Sequence, residues 1–262
     1  MSPDRWTSGD AYEAYVGRWS RRVAADFVTE LRVGTGRTWL DVGCGTGALT
    51  AAVLALADPA QVTGVDPSDG FLRSARTRIV DPRASFRVAD AQSLPFPDEG
   101  FDVVVSALAL NFVPDPARAA AEFARVARPG AMIAAYVWDY AEGMGMMRAF
   151  WDAATEVDPA AAERDEVRRF PLCRPEPLAA LWIGAGIDEV SVWAVRVSTV
   201  FGDFDDYWRP FLGGQGPAPG YLASVSAEHR EVLRERLRAR LPVEPDGSIV
   251  LSARAWAVRG VA

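Results

Sequence analysis

At 262 residues the chain can bury one sizeable core, and one domain with insertions is expected over residues 1–262. Its 28 basic against 35 acidic residues give a formal charge of −7 with no basic block, which disfavours a nucleic-acid partner or an anionic membrane surface. Every basic residue is arginine, so a Schiff-base lysine, a P-loop lysine and a tyrosine–lysine reductase pair are excluded.

In chain order, a helix is expected over Ala11–Leu31, with Tyr12, Tyr15, Val16 and Trp19 on one face and Arg18 beside them. That stripe fits either core packing or a lid. Strands and helices then alternate: strand Thr38–Val42, helix Thr46–Ala57, strand Val62–Asp66, helix Ser68–Ile79 and strand Ser85–Ala89. Strand Asp102–Ser106, helix Pro116–Ala127 and strand Ala131–Trp138 follow. Such alternation specifies a doubly wound α/β sheet with helices on both faces. Two alternating segments, Ile187–Val197 and Gly247–Val258, read as half-exposed final strands. Before the first of them lie a helix over Met144–Val157, a Pro- and Arg-rich loop to Pro177 and a short helix to Ala185, and between the two, over Phe201–Leu241, lie aromatics, the turn-rich GGQGPAPG and an arginine-rich helix. Residues 1–31, 140–186 and 201–246 are therefore the expected lid elements.

The octet LDVGCGTG, Leu40 to Gly47, is a buried strand entering a glycine-rich turn, where missing side chains let a ligand lie against bare backbone. QVTGVD, Gln61 to Asp66, is a second apolar strand ending in a carboxylate placed to grip a ribose diol. A nucleoside ligand is the first reading. Gly43, Gly45 and Ala48 also satisfy the dinucleotide fingerprint, so the turn alone leaves a nicotinamide cofactor open.

Four segments in order carry a more specific signal: LDVGCGTG, GVDPSDGFL (Gly64 to Leu72), VADAQSLPFPDEGFDVV (Val88 to Val104) and RVARPGAMIAAYVW (Arg125 to Trp138). Together they resemble the motifs of class I S-adenosylmethionine-dependent methyltransferases, in the small-molecule branch typified by the ubiquinone and menaquinone C-methyltransferases. The resemblance implies a Rossmann-like sheet of seven strands, the last antiparallel, with an N-terminal helix and lid insertions. It further implies that Gly43, Gly45 and Gly47 cradle the methionyl part of the cofactor and that Asp41 anchors the loop amides or the ammonium. Asp66 would take the ribose hydroxyls, Leu72 and Ala91 would sandwich the adenine, and Asp90 would meet its exocyclic amine. Pro67 and Ser106 complete that set, with Tyr15 or Arg18 at the methionyl carboxylate. On the acceptor side stand Trp19, Asn111, Phe112, Tyr140 and Arg174, and Asp139 is the candidate base for a hydroxyl acceptor.

The implied reaction is methyl transfer from S-adenosylmethionine to a small organic molecule by in-line displacement. Rival readings are an S-adenosylmethionine-binding enzyme of another reaction, such as a cyclisation, a nicotinamide-dependent oxidoreductase, and an inactive scaffold. Cys44 and Cys173 share no metal-like spacing and His229 is the single histidine, so no metal site is expected. His229 reads as a packed side chain. The polar N-terminus lacks a signal core and no apolar run spans a bilayer, so a cytoplasmic protein with reduced thiols is expected.

Overall fold

The computed structural model describes residues 13–213 and 216–262. The predicted helix start at Ala11 and Tyr12, and Gly214 and Gln215 of the predicted turn, lie outside the described residues. A π-helical turn, Glu13–Gly17, leads into α1 (Arg18–Leu31). β1 (Thr38–Val42), α2 (Ala48–Leu56), β2 (Gln61–Asp66), α3 (Asp69–Arg78) and β3 (Ala84–Val88) follow. Next come β4 (Phe101–Ala107), α4 (Pro116–Val126) and β5 (Ala127–Trp138). Beyond β5 lie α5 (Gly145–Val157), α6 (Glu166–Arg169), α7 (Pro175–Gly184), β6 (Asp188–Phe201), α8 (Phe204–Trp208), α9 (Pro217–Ser224), α10 (Ala227–Arg240) and β7 (Ile249–Val261).

The seven strands form one sheet in the order β3-β2-β1-β4-β5-β7-β6. β1 pairs in parallel with β2 and β4, β2 with β3, and β4 with β5. β7 runs antiparallel to β5: the amide of Gly130 donates to the carbonyl of Ala262, and that of Asp139 to the carbonyl of Arg254. The chain turns one way from β1 through β2 to β3 and the other way through β4 to β5. That reversal places a crevice at the carboxyl ends of β1 and β4, where open α/β sheets bind ligands.

Local chemistry explains these elements. The branched run Val103, Val104 and Val105 has almost no exposed surface, as a central parallel strand covered on both faces requires. Ser68 caps α3 by accepting from the amide of Phe71, and Asp115 caps α4 by accepting from that of Arg118, with Pro116 in its first turn. Two predicted irregular stretches are corrected. The loop before Pro177 holds a 3-10 turn (Pro159–Arg164) and α6, because Asp158 and Asp165 each cap a helical turn, at the amides of Ala160 and Val167. GPAPG enters α9, since Pro217 fits the first turn of a helix, where no amide is needed.

Two compact units are distinguished. Unit one takes Met1–Trp19, Trp138–Pro171 and Arg196–Arg254; unit two takes Ser20–Val137, Leu172–Val195 and Ala255–Ala262. Unit two is filled by Val23, Phe27, Trp39, Leu40, Phe123, Ile133 and Trp182, whose indole donates to the carbonyl of Ile133. The core of unit one is aromatic: Phe150 stacks on Phe211 at 4.5 Å and meets Trp151 edge-on at 5.2 Å, and Tyr207 lies 5.4 Å from Phe211.

Candidate functional site

In unit two, Gly43, Gly45 and Gly47 all lie in the left-handed region, at φ +75°, +53° and +88°. Their surroundings differ. A Cβ on Gly43 would meet that of Ala109 at 2.4 Å, and one on Gly47 would meet Ile79 Cδ1 at 2.6 Å, so these two are excluded from bearing a side chain by packing. A Cβ on Gly45 would meet nothing within 4 Å. The turn is pinned from beneath: the amides of Gly43 and Cys44 donate to the carbonyl of Val65 at 2.8 and 2.9 Å. Gly45 donates its amide to Asp66 Oδ2 at 3.0 Å, and Ser68 donates to Asp66 Oδ1 at 2.8 Å. Asp66 thus ties the glycine turn to the start of α3, and each of its oxygens keeps a further lone pair.

Asp41 is fully buried at the end of β1 and accepts from Thr50 Oγ1 at 2.6 Å through Oδ2. Its Oδ1 has no partner among the described residues. Burial, with Asp66 nearby, pushes its carboxyl up to about 7. The expectation that Asp41 anchors the loop amides is corrected: those amides bond Val65 and Asp66, and Asp41 instead holds the first turn of α2 through Thr50. Burial also raises the Cys44 thiol well above its ordinary value, with Asp41 and Asp66 adding to the effect, so Cys44 is a packing residue.

Around the expected adenine position, Pro67 is exposed and Ala91 half-buried, whereas Leu72 has no exposed surface. Leu72 is therefore withdrawn from the adenine-facing set; it packs with Ala75 on the buried face of α3. Asp90 is exposed, and its two oxygens accept from the Gln92 side-chain amide at 3.1 Å. Hydrogen bonds from the Gln92 backbone and side chain hold the Asp90 carboxyl below the usual range. Ser106 is buried within β4, opposite Ala135 of β5. Past β4, Asn111 and Phe112 fall in a 3-10 turn, Leu110–Phe112; Phe112 is exposed, and Asn111 Nδ2 is buried with no partner among the described residues. Arg174 is exposed at the start of α7 in unit two, whereas Arg168 pairs with Glu163 and Arg169 lies over the ring of Phe170 in unit one.

Unit one holds Tyr15, Arg18, Trp19, Asp139 and Tyr140. Arg18 pairs with Asp206 at 3.1 Å and lies over the rings of Trp19 and Phe201 at 4.5 and 4.8 Å. Tyr140 is buried 5.7 Å from Phe170. Tyr15 packs edge-on against Phe211 at 5.6 Å, and its hydroxyl is buried with no partner among the described residues. Asp139 is corrected from base to cap. Its Oδ1 accepts from the amides of Ala141 and Glu142 at 3.0 and 3.2 Å, and its Oδ2 is ion-paired with Arg254. A carboxylate so engaged holds the exit of β5 in place. Asp206, Arg254 and the buried Glu166 carry no motif, and the sequence reading missed all three.

Residues 40–135 match the family described as a methyltransferase domain. The motif recognition thus holds over that stretch, which contains the end of β1, all of β2, β3 and β4, and most of β5. The chain is 40% identical over 103 residues to a 27-O-demethylrifamycin SV methyltransferase of Amycolatopsis mediterranei, covering 38% of each chain. It is 37% identical over 109 residues to a ubiquinone/menaquinone biosynthesis C-methyltransferase of Burkholderia mallei, covering 40% of this chain and 45% of that one. These matches span under half of the relatives' length. A phosphoethanolamine N-methyltransferase of Haemonchus contortus, solved in complex with S-adenosyl-L-methionine, superimposes with a TM-score of 0.58 over 94% of this chain and 56% of that one, at 18% identity. That likeness shows a shared fold. Among the described residues no helix is long and apolar enough to cross a membrane.

Proposed function

We propose that this chain is a class I S-adenosylmethionine-dependent methyltransferase that methylates a small organic molecule. The observation that carries the reading is Gly45, a left-handed residue whose absent side chain leaves open space and whose amide is fixed by Asp66. The methyltransferase domain over residues 40–135 supports the same ligand.

S-adenosylmethionine supplies, when bound, an electrophilic methyl group on a sulfonium. The residues present fit it. Gly45 offers bare backbone to the methionyl chain, and Asp66 keeps lone pairs for a ribose diol beside the two it gives to Gly45 and Ser68. Asp90, held by Gln92, lies two residues past β3, where an adenine amine would be read, with Pro67 and Ala91 beside the base. Asp41 Oδ1, buried and bare, would take the ammonium through one water or after a small opening of the turn. Asn111 and Phe112 close the same edge of the sheet beyond β4. Displacement at carbon needs alignment and a dry approach, which rigid strand ends and apolar walls supply. We infer further that the protein is cytoplasmic, as a chain with two cysteines in 262 residues suits, and that its net charge of −7 suits a small-molecule partner better than nucleic acid.

Calorimetric titration with S-adenosylmethionine, S-adenosylhomocysteine and NADH tests the cofactor, with the first two expected to bind. Binding of NADH alone would overturn the reading. A substrate screen followed by mass detection of a 14 Da gain, the mass of CH2, tests the transfer; cofactor binding with no methylated product would favour a non-methylating reaction.

A further inference from the structure

Within unit two, the loop that follows β3 is held by side chains of α4. Arg118, Glu122 and Arg125 lie four and three residues apart, on one face of that helix. Arg118 Nε donates to the carbonyl of Gln92 at 2.8 Å, and Glu122 Oε2 accepts from the amide of Leu94 at 2.7 Å. Arg125 donates to the carbonyls of Leu94 and Phe96 at 3.0 and 2.9 Å. The start of the helix adds a further bond, from the backbone amide of Asp115 to Gln92 Oε1 at 3.1 Å.

That last bond fixes which way the Gln92 amide points. A peptide N–H can only donate, so the side-chain oxygen faces Asp115 and the NH2 faces Asp90. There Nε2 lies 3.1 Å from each oxygen of the Asp90 carboxylate. The two oxygens are not alike. Oδ1 also accepts from the Gln92 backbone amide at 2.9 Å, which occupies both of its lone pairs. Oδ2 keeps one lone pair, and among the described residues only the Gln92 side chain sets its position. Hydrogen bonds from the Gln92 backbone and side chain, with Arg118 nearby, hold this carboxyl below the usual range, so it is an ionised acceptor at neutral pH. An ionised oxygen with one free lone pair accepts from an amine and repels a carbonyl oxygen. Adenine presents the amine at its exocyclic position, and hypoxanthine presents the oxygen.

We propose that Gln92 is a specificity-determining positioning residue: held by the start of α4, it aims Asp90 Oδ2 at the exocyclic amine of the cofactor's base and so sets the preference for adenine over hypoxanthine. This rests on the S-adenosylmethionine reading. Gln92 acts through Asp90. Without its side chain, Oδ1 stays tied to the backbone amide while Oδ2 swings about that bond, and the base loses its aligned partner.

The full chain and its Gln92→Ala and Gln92→Met variants are titrated calorimetrically with S-adenosylhomocysteine and with S-inosylhomocysteine, in which an oxygen replaces the amine. The wild type is expected to bind the adenine compound at least about tenfold more tightly, and both variants to cut that ratio to about threefold or less through weaker adenine binding. A general loosening of the loop would weaken both compounds alike and leave the ratio where it was. A ratio unchanged in either folded variant therefore overturns the proposal, as does a wild type without the preference or tighter adenine binding in the absence of Gln92. In an Asp90→Ala background, Gln92→Met is expected to leave the ratio where Asp90→Ala puts it. A further drop would show that Gln92 reads the base itself, and would overturn the positioning role. Should neither Gln92 variant fold, Asp90→Ala decides, since a preference that survives it sinks the proposal. Failure of the wild type to bind S-adenosylhomocysteine sinks the cofactor reading and this proposal with it, whereas binding with an unchanged ratio sinks this proposal alone.

Discussion

Asp41 in unit two and Glu166 in unit one are in the same predicament. Each is fully buried, each has one oxygen bonded and one bare, and burial pushes each carboxyl up to about 7. Their settings differ. Asp41 sits near the end of a buried parallel strand, next to a backbone turn with defined dihedral angles. Glu166 sits in a four-residue helix among aromatic rings drawn from distant segments. One electrostatic problem is posed by a motif and the other by packing, so identical chemistry is visible in a sequence only where the backbone itself makes the site.

The sharpest way to break this comparison is Gly45→Val. A branched side chain at φ +53° fills the space left beside the turn, and cofactor affinity is expected to fall more than about 100-fold in a folded protein. Gly47→Val should instead lower the melting temperature, because its Cβ strikes Ile79. Tight binding by the Gly45 variant would return the turn to a structural role.

The two carboxylates can be compared by pH. Each titrates higher folded than unfolded, so the native state binds more protons and stability falls as pH rises from about 4 through 7. Asp41→Asn and Glu166→Gln should therefore gain on the wild type at pH 8, by on the order of 4 kcal/mol at most, and the gain should vanish below about pH 4. Denaturant melts across that range check it, and a gain confined to one variant would show that the two sites are not equivalent.

Asp66→Ala should weaken S-adenosylhomocysteine by about 1.5 to 3 kcal/mol in calorimetry, the worth of charge-assisted hydrogen bonds at a cleft. Asp139→Asn keeps an acceptor for the amides of Ala141 and Glu142 and loses the Arg254 pair, so it should cost stability while kcat stays within about threefold; a general base would cost at least about 100-fold. The smallest effect is expected from chelation. No cluster of three or more His, Cys, Asp or Glu among the described residues could hold a metal, and turnover should be unchanged in EDTA.

Unit two was largely legible. Alternating apolar runs and loops gave strands and helices within a few residues, because a parallel strand buried on both faces has to be continuously apolar. Asp66 stood out because it ends such a strand. Leu72 was misread since position in a motif does not say which face of α3 it occupies, and Asp41 because its partner Thr50 lies on the next helix. In unit one, Arg18 was visible but Asp206, 188 residues away, was not. Glu166 lay hidden in RDEVRRF, where two acids among arginines read as surface.

The place of β7 has a consequence for synthesis. It follows β6 in the chain yet lies between β5 and β6 in the sheet, and the amides and carbonyls along one side of β5 have their strand partner only there. While a ribosome is still translating the segment after β6, a nascent chain carries β5 with an unpaired edge of Ala131, Ile133, Ala135 and Val137, an open template for another copy. Both units also gather pieces from before and after that point, since each holds part of β6 and part of β7. Neither can be completed vectorially, and a nascent-chain series stalled at successive lengths should stay protease-sensitive and chaperone-bound until β7 has emerged.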